Sequence, residues 1–186
     1  MQLRWSHAVV YVRDLDNMLS FYTNVLGFQV TDRGPLGSAD GPEIVFMSQV
    51  DTDHHQLAFL PVRKGQEASN SINHFAFRVD SLDDVKAMND KLLSDGRASD
   101  LNPLTHGNAW SVYFSDPEGN GIEVFCDSPW HVRQPQVRPW DITQPNETVV
   151  AQTRAAFEKE DNFGPISEFY DARRADLADA GIKSED

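Results

Sequence analysis

Two histidines and one glutamate fall where an apolar pattern leaves little room for polar side chains. His7 opens HAVVYV, His74 opens HFAFRV, and Glu123 sits inside GIEVFCD between Ile122 and Val124. A carboxylate in so apolar a strand is costly to bury unless something positive meets it. Two imidazoles and one carboxylate on three strands make the ligand set of a mononuclear non-haem Fe(II) site. Such a set grips one face of the metal and leaves the other open for substrate and dioxygen. Either histidine alone is better explained as a core-edge ring bonded to backbone. Their matching placement gives the set its weight.

That placement comes from an internal repeat. HAVVYVRDLDNMLSFYTNVLGF and HFAFRVDSLDDVKAMNDKLLSDG each open on His, alternate apolar residues as a half-buried strand does, and reach a Leu-Asp pair. His7 and His74, Leu15 and Leu82, Asp16 and Asp83 are each 67 residues apart. Both stretches continue into a helical pattern, Met18, Phe21, Tyr22 and Val25 in one, Val85, Met88 and Leu92 in the other. Each runs into a glycine placed as a C-cap, Gly27 or Gly96. Strand-like runs follow, FQVTDR, EIVFMSQ and HQLAFLP in the first copy, WSVYFSD and GIEVFCD in the second. The second copy's first strand after its helix is less distinct and falls near Ala98–Leu101. Each copy therefore reads β-α-β-β-β. Module one spans 3–62 and module two 70–128, within one domain of residues 1–128; the polar stretch RKGQEASNS (63–71) links them. The fold class expected is α+β.

Residues 129–186 differ in character. A Pro/Trp-rich stretch, PWHVRQPQVRPWDITQP, reads as extended. NETVVAQTRAAFEKE reads as a helix with Asn146 as N-cap, and SEFYDARRADLADA as another with a thin apolar stripe. We expect a packed-back arm or an oligomer contact with no chemistry of its own, on a chain that associates into a homo-oligomer.

Bulk properties narrow the function. With 29 acidic against 16 basic residues the net charge is −13, which repels phosphate backbones and argues against nucleic-acid binding. No apolar run approaches the roughly 18–20 residues of a membrane span. The first residues lack the zones of a signal peptide. The single cysteine, Cys126, permits neither an internal disulfide nor a Cys-based zinc site, and it receives no role. A cytoplasmic location is expected, with no membrane partner.

The repeat with His, His and Glu resembles the vicinal-oxygen-chelate superfamily, which includes glyoxalase I, bleomycin-resistance proteins, fosfomycin-resistance enzymes and type I extradiol dioxygenases. The resemblance implies paired βαβββ modules forming a cupped mixed sheet around the metal. THGNAWSVYFSDPEGNGIEVF (105–125) is similar to the signature of extradiol ring-cleaving dioxygenases, with His106, Val112–Tyr113, Asp116–Pro117–Glu118–Gly119 and Glu123 in its key places. HHQLAF and INHFAF resemble the blocks holding that family's catalytic and second ligand histidines. By this likeness His7, His74 and Glu123 hold Fe(II), with Mn(II) as the alternative, and the substrates are a catechol and O2. His55 is the acid–base residue, while Tyr113 and His106 donate hydrogen bonds to substrate oxygens. Taken alone, Tyr113 also suits a packed strand, and His106 a solvated loop. Strand parity sets His55 on the face of Leu57 and Phe59 and leaves His54 as a solvated neighbour. Trp110, Phe114 and Phe125 suit either an aromatic pocket wall or ordinary core.

Only one pair of modules is present, which matches the one-domain form of those dioxygenases. Near the position equivalent to Glu123 in module one stands Leu57, which cannot supply the fourth protein ligand of glyoxalase I. Two other readings share the fold: a metal-dependent transferase like the fosfomycin-resistance enzymes, and a metal-free binding protein of the bleomycin-resistance type. The first wants a Lys/Arg cluster for a phosphonate, which the sequence lacks. The second has no use for three metal ligands on buried strands.

Overall fold

The computed structural model describes residues 4–65 and 71–182. The expected first residues of the two modules, 3 and 70, and positions 66–70 of the linker lie outside the described residues. The first unit runs β1 (Ala8–Tyr11), α1 (Leu15–Asn24), β2 (Gln29–Pro35), β3 (Glu43–Ser48) and β4 (Leu57–Leu60). The second runs β5 (Phe75–Arg78), α2 (Leu82–Asp95), β6 (Ser99–Thr105), β7 (Ala109–Ser115) and β8 (Gly121–Asp127). The indistinct strand of the second copy is therefore β6. Both units have the order β-α-β-β-β, and strands pair both ways, as an α+β fold of this kind requires. In the first sheet the order is β1-β4-β3-β2, with β1 parallel to β4. In the second, β5 lies parallel to β8 at the edge, and β7 joins β8 to β6.

Local chemistry explains where the helices start and stop. The Asp14 side chain accepts the Asn17 N–H at 3.0 Å at the start of α1. Ser81 does the same for Asp84 at the start of α2. Gly96 ends α2 as expected, at φ +75° with its N–H on the Leu92 carbonyl. Gly27 does not cap α1. The Val25 and Leu26 amides both turn onto the Phe21 carbonyl, so the helix closes at Asn24 with Val25 as C-cap. Gly27 stands beyond it at φ +87°, where it redirects the chain so that the Phe28 N–H reaches the Tyr22 carbonyl.

One core serves both units. It gathers Met18, Phe21 and Tyr22 of α1, Leu57 and Phe59 of β4, Val85 and Leu92 of α2, and the alternate residues Trp110, Val112, Phe114, Ile122, Val124 and Cys126 of β7 and β8. Phe21 meets Phe114 across the units at 6.4 Å, and Phe28 meets Phe77 at 5.5 Å. Each fully buried aromatic of this kind contributes about 2 kcal/mol. Trp110 and Phe114 are thus core residues. Phe125 has the opposite parity and lies under the Arg78 guanidinium.

The extension is extended and then helical. It contains β9 (Trp130–His131), β10 (Arg138–Pro139), α3 (Asn146–Phe157), β11 (Gly164–Pro165) and α4 (Ile166–Asp179). β10 adds to the second sheet beside β6. In α3, Val149, Thr153 and Phe157 are buried, and Trp110 Nε1 donates to Thr153 Oγ1 at 2.8 Å. Asn146 is the first helical residue and not the N-cap, a place that Pro145 holds. Its side chain is engaged elsewhere, donating to Asp83 and accepting from Lys86. No residue of α4 is buried, and the helix is attached through Phe169 stacked on His131 at 3.9 Å.

A polar staple fixes the units to each other. In the turn between β7 and β8, Asp116 Oδ1 accepts the Glu118 and Asn120 amides. Its other oxygen accepts from Tyr22, whose phenol burial pushes to a higher pKa, reinforced by Asp116. Glu118 reaches across to the β1–α1 junction, where Oε1 accepts the Arg13 and Asp14 amides at 2.6 and 2.9 Å. Arg63 approaches Oε2 at 3.3 Å. This carboxylate is almost fully buried, so its loss strands two amides and takes one partner from the Arg63 guanidinium. Glu118→Ala is expected to lower the unfolding free energy by about 2–4 kcal/mol, and Glu118→Gln by less, since its amide oxygen still accepts. Denaturant midpoints measure this, and an unshifted Glu118→Ala midpoint would refute it.

Candidate functional site

The face of the second sheet turned from the core carries the polar residues. In β7 and β8 the core takes even-numbered positions, which leaves Ser111, Tyr113 and Glu123 on the other side, with Tyr113 opposite Glu123. Ala76 is Glu123's partner on β5, so His74, two residues earlier, comes to the same side. Gly121 makes the approach close: a Cβ there would stand 2.3 Å from the Asn73 carbonyl oxygen and 3.3 Å from the His74 Cβ.

Glu123 is only 7% exposed. Its Oε1 accepts from Ser111 Oγ at 2.6 Å, and its Oε2 lies 3.2 Å from His74 Nε2. His74 Nδ1 lies 2.6 Å from Asn73 Oδ1, an acceptor, which places the ring proton on Nδ1. The Nε2 lone pair then faces a carboxylate lone pair. Two such atoms repel unless a proton or a cation stands between them. Donors bound to one small divalent cation at right angles, each about 2.1 Å away, are about 3 Å apart. The pair therefore fits a divalent metal in donor type, burial and spacing.

His7 lies elsewhere. It is exposed, just ahead of β1, with Nδ1 3.1 Å from Ser6 Oγ and its ring 4.3 Å from that of His55. Among the described residues no three His, Cys, Asp or Glu side chains are grouped closely enough to hold a metal. Ser6 and Ala8, on either side of His7, nevertheless line a cavity of about 410 Å³ with His74, Ala76 and Gln56.

His55 is half-buried against His7 and Phe46, with ring centroids 4.3 and 4.9 Å away. Burial lowers its pKa, and His7 and His54 lower it further, so it favours the neutral imidazole. The parity argument for it fails. β4 begins only at Leu57, so the alternation does not extend back through the bend. Phe46 pairs with Ala58, on the face opposite Leu57 and Phe59. His54 also lies against Phe46, at 5.6 Å, but is exposed and within 4.0 Å of Asp32.

Tyr113 and His106 are brought together, the hydroxyl lying 2.9 Å from His106 Nε2. Burial raises the Tyr113 pKa well above the usual phenol range, and hydrogen bonding and charge from Glu123 raise it further. His106 is no free loop residue: its Nδ1 is 2.5 Å from the Gln136 carbonyl oxygen. Cys126 faces the core, where burial pushes its thiol to about 11. Ser111, Asn73 and Gln136 escaped the sequence reading. A serine between Trp110 and Val112, two residues from Tyr113, was a buried polar residue on the right face; nothing in the sequence marked Gln136.

The chain matches the family model described as the Glyoxalase/Bleomycin resistance protein/Dioxygenase superfamily over residues 4–124. It is 26% identical over 141 residues to metapyrocatechase of Pseudomonas sp. (strain CF600), covering 74% of this chain and 44% of that protein. It is 37% identical over 125 residues to biphenyl-2,3-diol 1,2-dioxygenase of Metapseudomonas furukawaii, covering 63% and 38%. The match thus spans less than half of either relative. Among solved structures, the Mn(II)-complexed fosfomycin resistance protein FosX of Listeria monocytogenes aligns with TM-score 0.53 at 19% identity, over 68% of this chain and 93% of that one, a likeness of fold. The described residues contain no helix long and apolar enough to cross a membrane. The repeated βαβββ units, with a polar face built on the second one, agree with the family match: the chain belongs to the glyoxalase/bleomycin resistance/dioxygenase superfamily.

Proposed function

We propose that the protein cleaves a catecholic ring beside its two hydroxyls with O2, at an Fe(II) held by His74, Glu123 and His7. The observation that carries this reading is the buried Glu123 carboxylate facing the His74 lone pair at 3.2 Å, an arrangement that calls for a cation. The relatives named metapyrocatechase and biphenyl-2,3-diol 1,2-dioxygenase favour this reading over a transferase or a metal-free binding protein. An iron held by these residues would supply the redox chemistry that lets O2 react with the catechol.

The chain's own groups do the rest. His55, kept neutral by burial and by two neighbouring imidazoles, takes a proton from a catechol hydroxyl. Tyr113 keeps its proton across the working pH range, so it offers a neutral hydroxyl to a substrate oxygen, with His106 beside it. His7 completes the ligand set from the neighbouring edge, next to His55.

The decisive test is metal content after anaerobic purification, followed by oxygen uptake with a panel of catechols after Fe(II) loading. One O2 consumed per catechol and a yellow ring-fission product are expected, and Glu123→Gln abolishes metal retention. A chain that retains no divalent metal and consumes no O2 with any catechol rules the proposal out. Ser111→Ala is expected to weaken Fe(II) about 10–100-fold in competition with a chelator, because Oε1 of Glu123 loses the hydroxyl donor that orients it. Equal affinity would show that Ser111 has no such role. His55→Ala is expected to cut kcat about 10²–10⁴-fold while His54→Ala leaves it near wild type. Equal losses would remove His55 from the proton transfer.

A further inference from the structure

We propose that residues 134–140 of the C-terminal arm, which lie beyond the matched region 4–124, position the site. Through the Gln136 carbonyl they hold the proton of His106 on Nδ1. In the substrate-free site Nε2 then accepts the Tyr113 hydrogen bond, which turns to a substrate oxygen when one arrives, and Glu123 is left to Ser111 and the cation.

The argument is one of donors and acceptors. A carbonyl only accepts, so the 2.5 Å contact from Gln136 O to His106 Nδ1 requires N–H on Nδ1. A neutral imidazole then has its lone pair on Nε2, and the 2.9 Å contact there makes Tyr113 the donor. The phenol has a single proton and two neighbours able to take it, His106 and the Glu123 carboxylate. Donation to Glu123 would draw charge from the oxygen that must face the cation. Donation to His106 leaves that charge in place. The arm selects the second arrangement.

The arm is held tightly enough to do so. The Gln134 amide donates to the His106 carbonyl at 2.8 Å and to the Val132 carbonyl at 3.2 Å, while its oxygen accepts the Gln136 N–H at 2.9 Å. One side chain thereby clamps both partners of the His106–Gln136 contact. A Cβ on Gly107 would meet Val132 Cγ1 at 2.5 Å, so the start of the arm packs onto the His106 loop without clearance. Further along, β10 pairs with β6 through Arg138 opposite Thr105, and Trp140 Nε1 donates to the Ser111 carbonyl at 3.1 Å. The same arm therefore contacts the residue that bonds to Tyr113 and the residue that bonds to Glu123.

The test is the nitrogen-15 spectrum of the histidine rings in the full-length, metal-free chain, under conditions where the His106 ring is neutral. His106 is expected to carry its proton on Nδ1. In Gln134→Met, which keeps the volume of an exposed side chain and loses its hydrogen bonds, a mixture of tautomers is expected. The unfolding midpoint should stay unchanged while kcat/KM for a catechol falls about tenfold. A neutral wild-type His106 with its proton on Nε2 overturns the proposal, and so does a Gln134→Met chain that keeps the wild-type tautomer. The wild-type measurement needs no variant. The catalytic consequence rests on the dioxygenase reading, but the tautomer does not. An Nδ1 proton in a chain that cleaves no catechol sustains the positioning and defeats that reading.

Discussion

A carboxylate removed from water and faced by an imidazole nitrogen is the constraint around which this site is organised. Glu123 is enclosed on a strand whose neighbours, Ile122 and Val124, point into the core. Its two oxygens have separate surroundings, a serine hydroxyl on one and an imidazole on the other. Because Asn73 takes the Nδ1 proton, His74 cannot satisfy the carboxylate as a neutral donor. An uncompensated carboxylate this deep would cost several kcal/mol, far more than a single strand pairing returns. A proton or a cation between the two groups relieves that cost, and this is why the pair suits a divalent metal.

Holding such a pair demands rigidity from the scaffold, and the contacts between the units supply it. β5 reaches β8 closely because Gly121 has no side chain to obstruct Asn73. The following turn sends Glu118 back to the start of α1 and joins Asp116 to Tyr22. These links tie the strand that carries Glu123 to the unit that carries His7 and His55. The polar staple and the aromatic contacts Phe21–Phe114 and Phe28–Phe77 act on the same junction. The repeat thus places equivalent residues on either side of one core, and the cross-links keep those sides from drifting apart.

Much of this was legible in the sequence because its periods are simple. The 67-residue offset exposed the repeat, alternation gave β7 and β8, and a charged residue inside GIEVFCD marked Glu123. What failed did so where local rules compete with longer-range geometry. Gly27 looked like a helix cap, but two amides closed α1 onto Phe21 three residues earlier. Asn146 looked like an N-cap, but Asp83 and Lys86 of α2's surface claimed its side chain. Parity could not reach His55, because a strand's alternation carries no information across the bend that precedes it. The repeat set His7 at the head of β1, but no pattern in the chain encodes where an exposed residue before a strand directs its ring.

The two halves of the site differ in how firmly they are held, and the difference has a physical use. His74 and Glu123 are each fixed by a second partner, Asn73 and Ser111, so their lone pairs are oriented before any ligand arrives. Opposite them, His7 is exposed, with a serine hydroxyl at its Nδ1 and the His55 ring beside it. On the proposed reading, a preorganised pair would supply affinity for the ion, and a more loosely held third group would let the site adjust as substrate arrives. The acid–base role proposed for His55 would suit the adjustable side for the same reason, since His55 lies beside His7 rather than beside the fixed pair.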